Sequence, residues 1–249
     1  FGARHYFRVT MMDVRRLMMK SGSRQELHDV KNYSDAVGEI LKDYSKLGKA
    51  EIDATGDKLE HPVSQTQNDY RFIVQELIQS GKTDREFFSF ADKIYFRKPR
   101  KVTGPVLALK PEDALLELSV EEEYENLSVE VIGYDPKKQV SLTGKANVEK
   151  GKGQKALTTK TPTLTLTDAG ADTQEKANNR AKAIAQRLGF QKQRGRGVCL
   201  GLPQIVPGRY LKIDDLESDY GNHKYYITDV EHELTGTKYL TRFEIGGWL

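Results

Sequence analysis

Apolar and polar residues alternate with a period of two through most of the second half of the chain. A helical period shows in three places only. The clearest alternation lies near the carboxyl end, where His223–Leu234 and Lys238–Ile245 meet at Thr235-Gly236. Alternation between turn signals marks an antiparallel meander. With Thr235-Gly236 as a two-residue loop, Glu233 opposes Lys238 and Asp229 opposes Arg242. Tyr226, Thr228, Val230 and Leu234 then share a face with Tyr239, Thr241, Phe243 and Ile245. One register satisfies both the charges and the apolar face, and a slip of one residue spoils both.

Further strands are predicted at residues 4–14, Ala50–Ala54, Phe87–Phe90, Ile94–Phe96, Ala114–Tyr124, Leu127–Tyr134, Gln139–Asn147 and Thr163–Thr167. A basic linker follows the first of these. Val37, Ile40, Leu41 and Tyr44 fall at helical spacing behind an N-cap at Asn32 or Ser34. Tyr70, Ile73, Val74, Leu77 and Ile78 define a second helix over Gln67–Ser80, with Gly81 as its stop. Ala177, Ala181, Ile184, Ala185 and Leu188 define a third from about Thr173 to Leu188, with Asp172 and Glu175 as a capping box and Gly189 as its end. The segment Lys150–Lys160, rich in Gly and Lys, reads as a loop. The expected fold class is α+β, mostly β: a closed or nearly closed β-barrel interrupted by one helix, plus a small α/β domain.

Composition changes this picture little. The chain has 249 residues, a net charge of +3 and a single cysteine. Balanced charge gives no ground for a specific nucleic-acid partner, and no apolar run reaches the roughly 18–20 residues that span a bilayer. Cys199 excludes an internal disulfide and, between Val198 and Leu200, reads as a buried inert thiol.

Catalytic constellations are not found. Gly81-Lys82-Thr83 ends a helix where a phosphate loop would start one, and Glu76 stands where its first glycine should be. Gly195-Arg-Gly197 lacks the third glycine of a dinucleotide loop at the right spacing. His232-Glu233 lies on a strand with Gly236 in place of a second histidine, so His232 reads as a core residue and not as a zinc ligand. No catalytic, cofactor or metal residue is assigned, no cofactor is expected, and no enzyme is read from the chain.

Charge is unevenly spread. Pro111 to Glu130 holds eight acidic residues and no basic one, among them Glu117, Glu121, Glu122 and Glu123. Lys176 to Arg196 holds seven basic residues and no acidic one, among them Arg180, Arg187, Arg194 and Arg196. Either these are two solvated faces, or they meet head to tail between copies in a ring.

Several segments in order resemble the late control protein D family, the baseplate hub of contractile phage tails and related injection machines, similar to the hub part of type VI secretion spike proteins. They are Asp13-Val-Arg-Arg-Leu-Met, Gln67-Asn-Asp-Tyr-Arg-Phe-Ile-Val-Gln-Glu-Leu and Val129-Glu-Val-Ile-Gly-Tyr-Asp-Pro, with Tyr134 where the family often has Trp. The Ala/Arg helix leading to Gly201-Leu-Pro-Gln-Ile-Val-Pro-Gly-Arg-Tyr-Leu-Lys-Ile and then Tyr226-Ile-Thr-Asp-Val-Glu-His-Glu-Leu complete the set.

The resemblance implies a hub-type β-barrel and a homotrimer whose two barrels per subunit alternate in a pseudo-sixfold ring. That ring joins a hexameric tail tube protein to a trimeric spike, beside other baseplate proteins, in a virion or bacteriocin particle assembled in the bacterial cytoplasm. On this pattern residues 1–20 are the remnant of a first barrel, 21–100 a peripheral α+β domain and 101–249 the second barrel. Most of the first barrel would be missing from the amino end. With no spike repeat after Gly246-Gly-Trp-Leu249, the spike is expected to be a separate protein, and Trp248 and Leu249 are its candidate contacts. The competing expectation is a cell-wall or oligosaccharide-binding module that uses Tyr95, Tyr124 or Tyr134 as stacking platforms.

Overall fold

The structure is a computed structural model and describes residues 12–99, 106–110, 114–123, 127–148, 161–214 and 223–248. The expected strand at residues 4–14 and the loop at 150–160 fall largely or wholly outside these. Two compact units result, one from Phe1–Ile78 with Glu86–Arg97 and the other from Gln79–Arg85 with Lys98–Leu249.

The first unit opens with helix α1 (Val14–Lys20), where a basic linker was expected. The Asp13 side chain caps it by accepting from the Arg15 amide, and Met18 is fully buried. A capped start with two apolar anchors, Val14 and Met18, makes this basic stretch helical. Strand β1 (Glu26–His28) leads to α2 (Tyr33–Lys42), capped by Asn32, whose Val37, Ile40 and Leu41 face the core. Strands β2 (Lys49–Ile52) and β3 (Val63–Gln65) follow. Helix α3 (Asp69–Arg71), capped by Asn68, widens into a π-helix over Phe72–Gln79. Gly81 then turns with φ +80°, as its place after the helix predicts. The β4 (Glu86–Phe90) and β5 (Lys93–Arg97) hairpin closes the unit, with β2 parallel to β5 and β1 antiparallel to β3. The core joins Met18, Val37, Ile40, Leu41, Phe72, Ile73, Leu77, Ile94 and Phe96.

In the second unit β6 (Leu107–Leu109), β7 (Leu115–Glu122), β8 (Ser128–Asp135), β9 (Val140–Asn147) and β10 (Thr163–Thr167) precede α4 (Gln174–Lys192). After it come β11 (Gln193–Leu200), β12 (Tyr210–Ile213), β13 (Lys224–Leu234) and β14 (Tyr239–Trp248). Six strands in the order β6-β12-β13-β14-β11-β7 curl into a half-barrel, and β10-β8-β9 form a second sheet under α4. Inner residues Cys199, Leu211, Tyr225, Ile227, Phe243 and Ile245 make one core. Val129, Val131, Ala177, Ala181, Ile184 and Ala185 make the other. The fold is α+β and mostly β, as the alternation pattern predicts.

Two details depart from expectation. Thr173, not Asp172, caps α4 by accepting from the Lys176 amide, while Asp172 pairs with Lys176 at 2.7 Å. The helix also runs through Gly189 and turns straight into β11 at Gln193. At the carboxyl end the hairpin register is two residues longer than the Thr-Gly loop implied. Leu234 faces Tyr239, Glu231 faces Arg242 and Asp229 faces Glu244. The Thr235 hydroxyl accepts from the amides of Thr237 and Lys238, which makes a wider loop than a two-residue turn. A shift of two keeps each residue on its predicted face, and Glu233 still pairs with Lys238 at 2.8 Å. Bulges between Tyr225 and Asp229 then exchange faces, burying Ile227 and exposing Thr228. His232 is exposed near the hairpin tip and not in the core, with its Nδ1 3.0 Å from the Thr241 hydroxyl.

Helix α4 seats on the small sheet because two strand residues lack side chains. A Cβ at Gly144 would strike the Ala177 carbonyl, and one at Gly133 the Ala171 backbone. Gly144→Ala is therefore expected to lower stability by about 1–3 kcal/mol, as overpacking against a fixed backbone does. Gly236→Ala, which meets nothing within 4 Å, should stay within about 0.5 kcal/mol of the parent. Urea unfolding of both variants checks the contrast.

Candidate assembly surface

One face of the half-barrel is apolar, so the period of two places charge on the other. Across strands β13, β14, β11 and β7 the outer face reads Glu231, Arg242, Val198, Glu117 in one row and Asp229, Glu244, Arg196, Ser119 in the next. A groove of about 490 Å³ crosses these rows. Among the described residues the side chains of Glu117, Arg196, Asp229 and Glu231 have no hydrogen-bond or ion-pair partner. The surface thus offers both signs of charge without using them internally.

The residues singled out from the charge runs fall in two places. Glu117, Glu121, Glu122, Arg194 and Arg196 lie on the neighbouring strands β7 and β11, with Glu121 opposite Arg194, and Glu123 just beyond β7. Arg194 bonds Glu123 at 2.6 Å and Gln193 bonds Glu122 at 3.1 Å, so the acidic and basic runs touch within one chain. Arg180 and Arg187 lie apart on α4. Arg180 is 5 % exposed and pairs with Asp168. Arg187 donates to the Gln79 carbonyl, and burial lowers its pKa. Trp248 ends β14 opposite Tyr225, while Leu249 lies outside the described residues. Tyr134 is 48 % exposed on the small sheet. Tyr95 stacks on Phe88 at 4.8 Å, with the Arg97 guanidinium over both rings. Tyr124 lies outside the described residues.

A second polar constellation, in the first unit, left no sequence signal beyond the Asn68-Asp69 helix start. Asp69 is fully buried, and each carboxylate oxygen accepts two bonds. Oδ1 takes them from Arg24 Nε at 2.8 Å and Gln65 Nε2 at 2.8 Å, Oδ2 from Arg24 at 2.9 Å and the Tyr44 hydroxyl at 2.6 Å. The Gln65 carbonyl oxygen faces His28 Nε2 at 2.8 Å, and His28 Nδ1 faces Glu39 at 3.1 Å. Burial works against the charge on Arg24, but its bonds to Asp43 and Asp69 raise its pKa. Burial and the bond to Asp69 push the Tyr44 phenol up to about 12. A carboxylate this fully used holds elements together and has no lone pair left for a ligand.

Cys199 is buried, which pushes its thiol up to about 11 and leaves it unreactive. Among the described residues no group of three or more His, Cys, Asp or Glu could hold a metal ion, and no helix is long and apolar enough to cross a membrane.

A family profile described as the Alg8 N-terminal domain (Alg8_N) matches residues 6–236. The chain belongs to that family. No curated protein matches this member's sequence. Its fold, however, is shared with tail proteins. The 43 kDa tail protein of prophage MuSo2 from Shewanella oneidensis superposes with a TM-score of 0.66 at 11% identity, over 94% of this chain and 71% of that one. A tail protein from Neisseria meningitidis MC58 gives 0.62 at 10% identity, over 94% and 72%. The Escherichia coli c3393 protein, a type VI secretion component with structural similarity to phage T4 tail proteins gp27 and gp5, gives 0.57 at 12% identity, over 93% and 52%. The Alg8 N-terminal domain family member thus has a tail-protein fold.

Two measurements check these geometries. A raised phenol pKa means that the unfolded chain loses the Tyr44 proton first, so its contribution is complete below about pH 10 and lost as pH approaches 12. Tyr44→Phe should therefore show a smaller fall in urea midpoint across that window than the parent does. At the sheet face Glu123→Lys should cost at most about 1 kcal/mol, because the pair is exposed. Adding Arg194→Glu should restore the parent value.

Proposed function

We propose that this chain is a structural baseplate hub protein of a contractile tail or injection machine. In this reading it belongs with the late control protein D type of hub and forms a trimeric, pseudo-sixfold ring between a hexameric tail tube and a trimeric spike. It performs no reaction and works in the assembled particle. The single observation that carries the reading is the tail-protein fold, matched over 94% of the chain. The half-barrel supports it too, since a rigid sheet with one solvated face is a template on which identical copies can be tiled.

Residues 101–249 serve as a barrel of the ring and residues 21–100 as a peripheral domain. The charged rows of β7 and β11, with Glu117, Glu121, Glu122, Glu123, Arg194 and Arg196, are the proposed subunit contact. Arg180 and Arg187, which lie apart on α4 and bond Asp168 and the Gln79 carbonyl, are not part of it. Trp248 and Leu249 are the proposed spike contact. Obligate contacts of this kind bury about 2,000 Å² or more, so the ring should be stable to dilution.

Light scattering on the purified chain is expected to give three subunits, with ring-shaped particles in electron micrographs. Replacing Glu121, Glu122 and Glu123 together by lysine should abolish the threefold assembly without unfolding the chain. A parent chain that stays monomeric at high concentration and is retained on isolated cell wall would overturn the hub reading in favour of a wall-binding module.

A further inference from the structure

Strand β10 is an edge without protection. It pairs with β8 on one side, in parallel, and among the described residues nothing pairs with the other. Its sequence, Thr163-Leu-Thr-Leu-Thr167, carries no charge, proline or glycine, and all five residues are exposed. Edge strands of folded proteins are ordinarily guarded by charge, bulges or brevity. The other edges here obey that rule. Strands β2, β4, β7 and β9 carry Lys or Glu, and β1, β3 and β6 are three residues long.

The ladder says which groups point outward. The Pro162 carbonyl accepts from the Ser128 amide at 2.9 Å, and the Asp168 amide donates to the Ile132 carbonyl at 2.9 Å. Backbone groups of a strand alternate in direction, so those of Leu164 and Leu166 face β8. The N–H and C=O groups of Thr163, Thr165 and Thr167 therefore face away from the sheet. Leu164 and Leu166 are each 37% exposed on the side of the sheet that carries α4.

From this edge we infer a second interaction surface, which takes the same strand of a second copy in antiparallel register about a two-fold axis through Thr165. The sequence reads the same in both directions, so the pairing puts Thr163 against Thr167, Leu164 against Leu166 and Thr165 against itself. Every outward N–H and C=O of both strands then finds a partner. Leucine meets leucine on one face and threonine meets threonine on the other, the like pairs that stabilise antiparallel ladders. Because each copy presents one such edge, the contact closes at two and leaves no unguarded edge among the described strands. It joins two small sheets into one of six strands. This surface does not depend on the hub reading, since a two-fold at β10 joins two copies whether or not either sits in a ring.

Hydrogen exchange of the full chain across a dilution series tests it, beside sedimentation. The amides of Thr163, Thr165 and Thr167 should gain protection with concentration, in step with a doubling of mass. Thr165→Pro removes an outward donor and leaves the β8 ladder whole, so it should weaken the doubling about ten- to hundredfold. Thr165→Val, which keeps the donor, should not. A doubling that a folded Thr165→Pro leaves unchanged overturns the inference. So does protection that is the same at every concentration, which would mean that the edge is covered by the chain itself. If Thr165→Pro fails to fold, the exchange of the parent chain decides alone. Loss of the threefold assembly in the lysine variant at Glu121–Glu123, with the concentration-dependent doubling and the β10 protection that accompanies it retained, would separate this contact from the ring contact.

Discussion

The second unit depends on one constraint: its six-stranded sheet has a single apolar face. Leu211, Tyr225, Ile227, Phe243 and Ile245 must all turn inward together. Since side chains alternate, this fixes Glu117, Arg196, Asp229, Glu231 and Arg242 outward. The charged exterior is the necessary complement of the core. Where Thr228 would have broken the rule, the strand bulges and Ile227 takes the inner place. The apolar requirement is strong enough to bend the strand locally. The open groove and the uncommitted charges along it follow from the same alternation.

In the first unit the corresponding node is polar. Asp69 starts a helix, and around its carboxylate gather Arg24 from the segment between α1 and β1, Tyr44 from the end of α2, and Gln65 from β3. Burying a carboxylate is unfavourable unless its hydrogen-bonding capacity is filled, and here four donors fill it. His28 and Glu39 extend the chain of bonds to the surface. The network ties the segment before β1, the end of α2, β3 and the start of α3 to one point beside an apolar core that runs from Met18 to Phe96.

Strands and helices with a clean period were legible in the sequence. Thr163–Thr167 ends where the alternation ends, α2 has the Asn32 cap, and β4 and β5 have their hairpin. Features set by a single hydrogen bond or a tertiary contact were not. The longer hairpin loop comes from the Thr235 hydroxyl, the extension of α4 through Gly189 from its direct join to β11, and α1 from the Asp13 cap. The Asp69 network was invisible because its members are up to 45 residues apart in sequence and no period links them. Of the surface, composition marked the two charge runs, but their adjacency on β7 and β11 is a fact of topology.

That adjacency bears on how an assembly surface can be read from charge. Two opposite runs far apart in sequence look as if they need a partner chain, yet here Arg194 and Glu123 already meet in one subunit. Such an exposed pair adds little stability. Further along the face Arg196 stands between Ser119 and Glu244 and has no partner among the described residues. A contact built there is mixed in sign within a few ångströms. Mixed sign selects for register more than for strength, because sliding a copy by one strand places like charge on like.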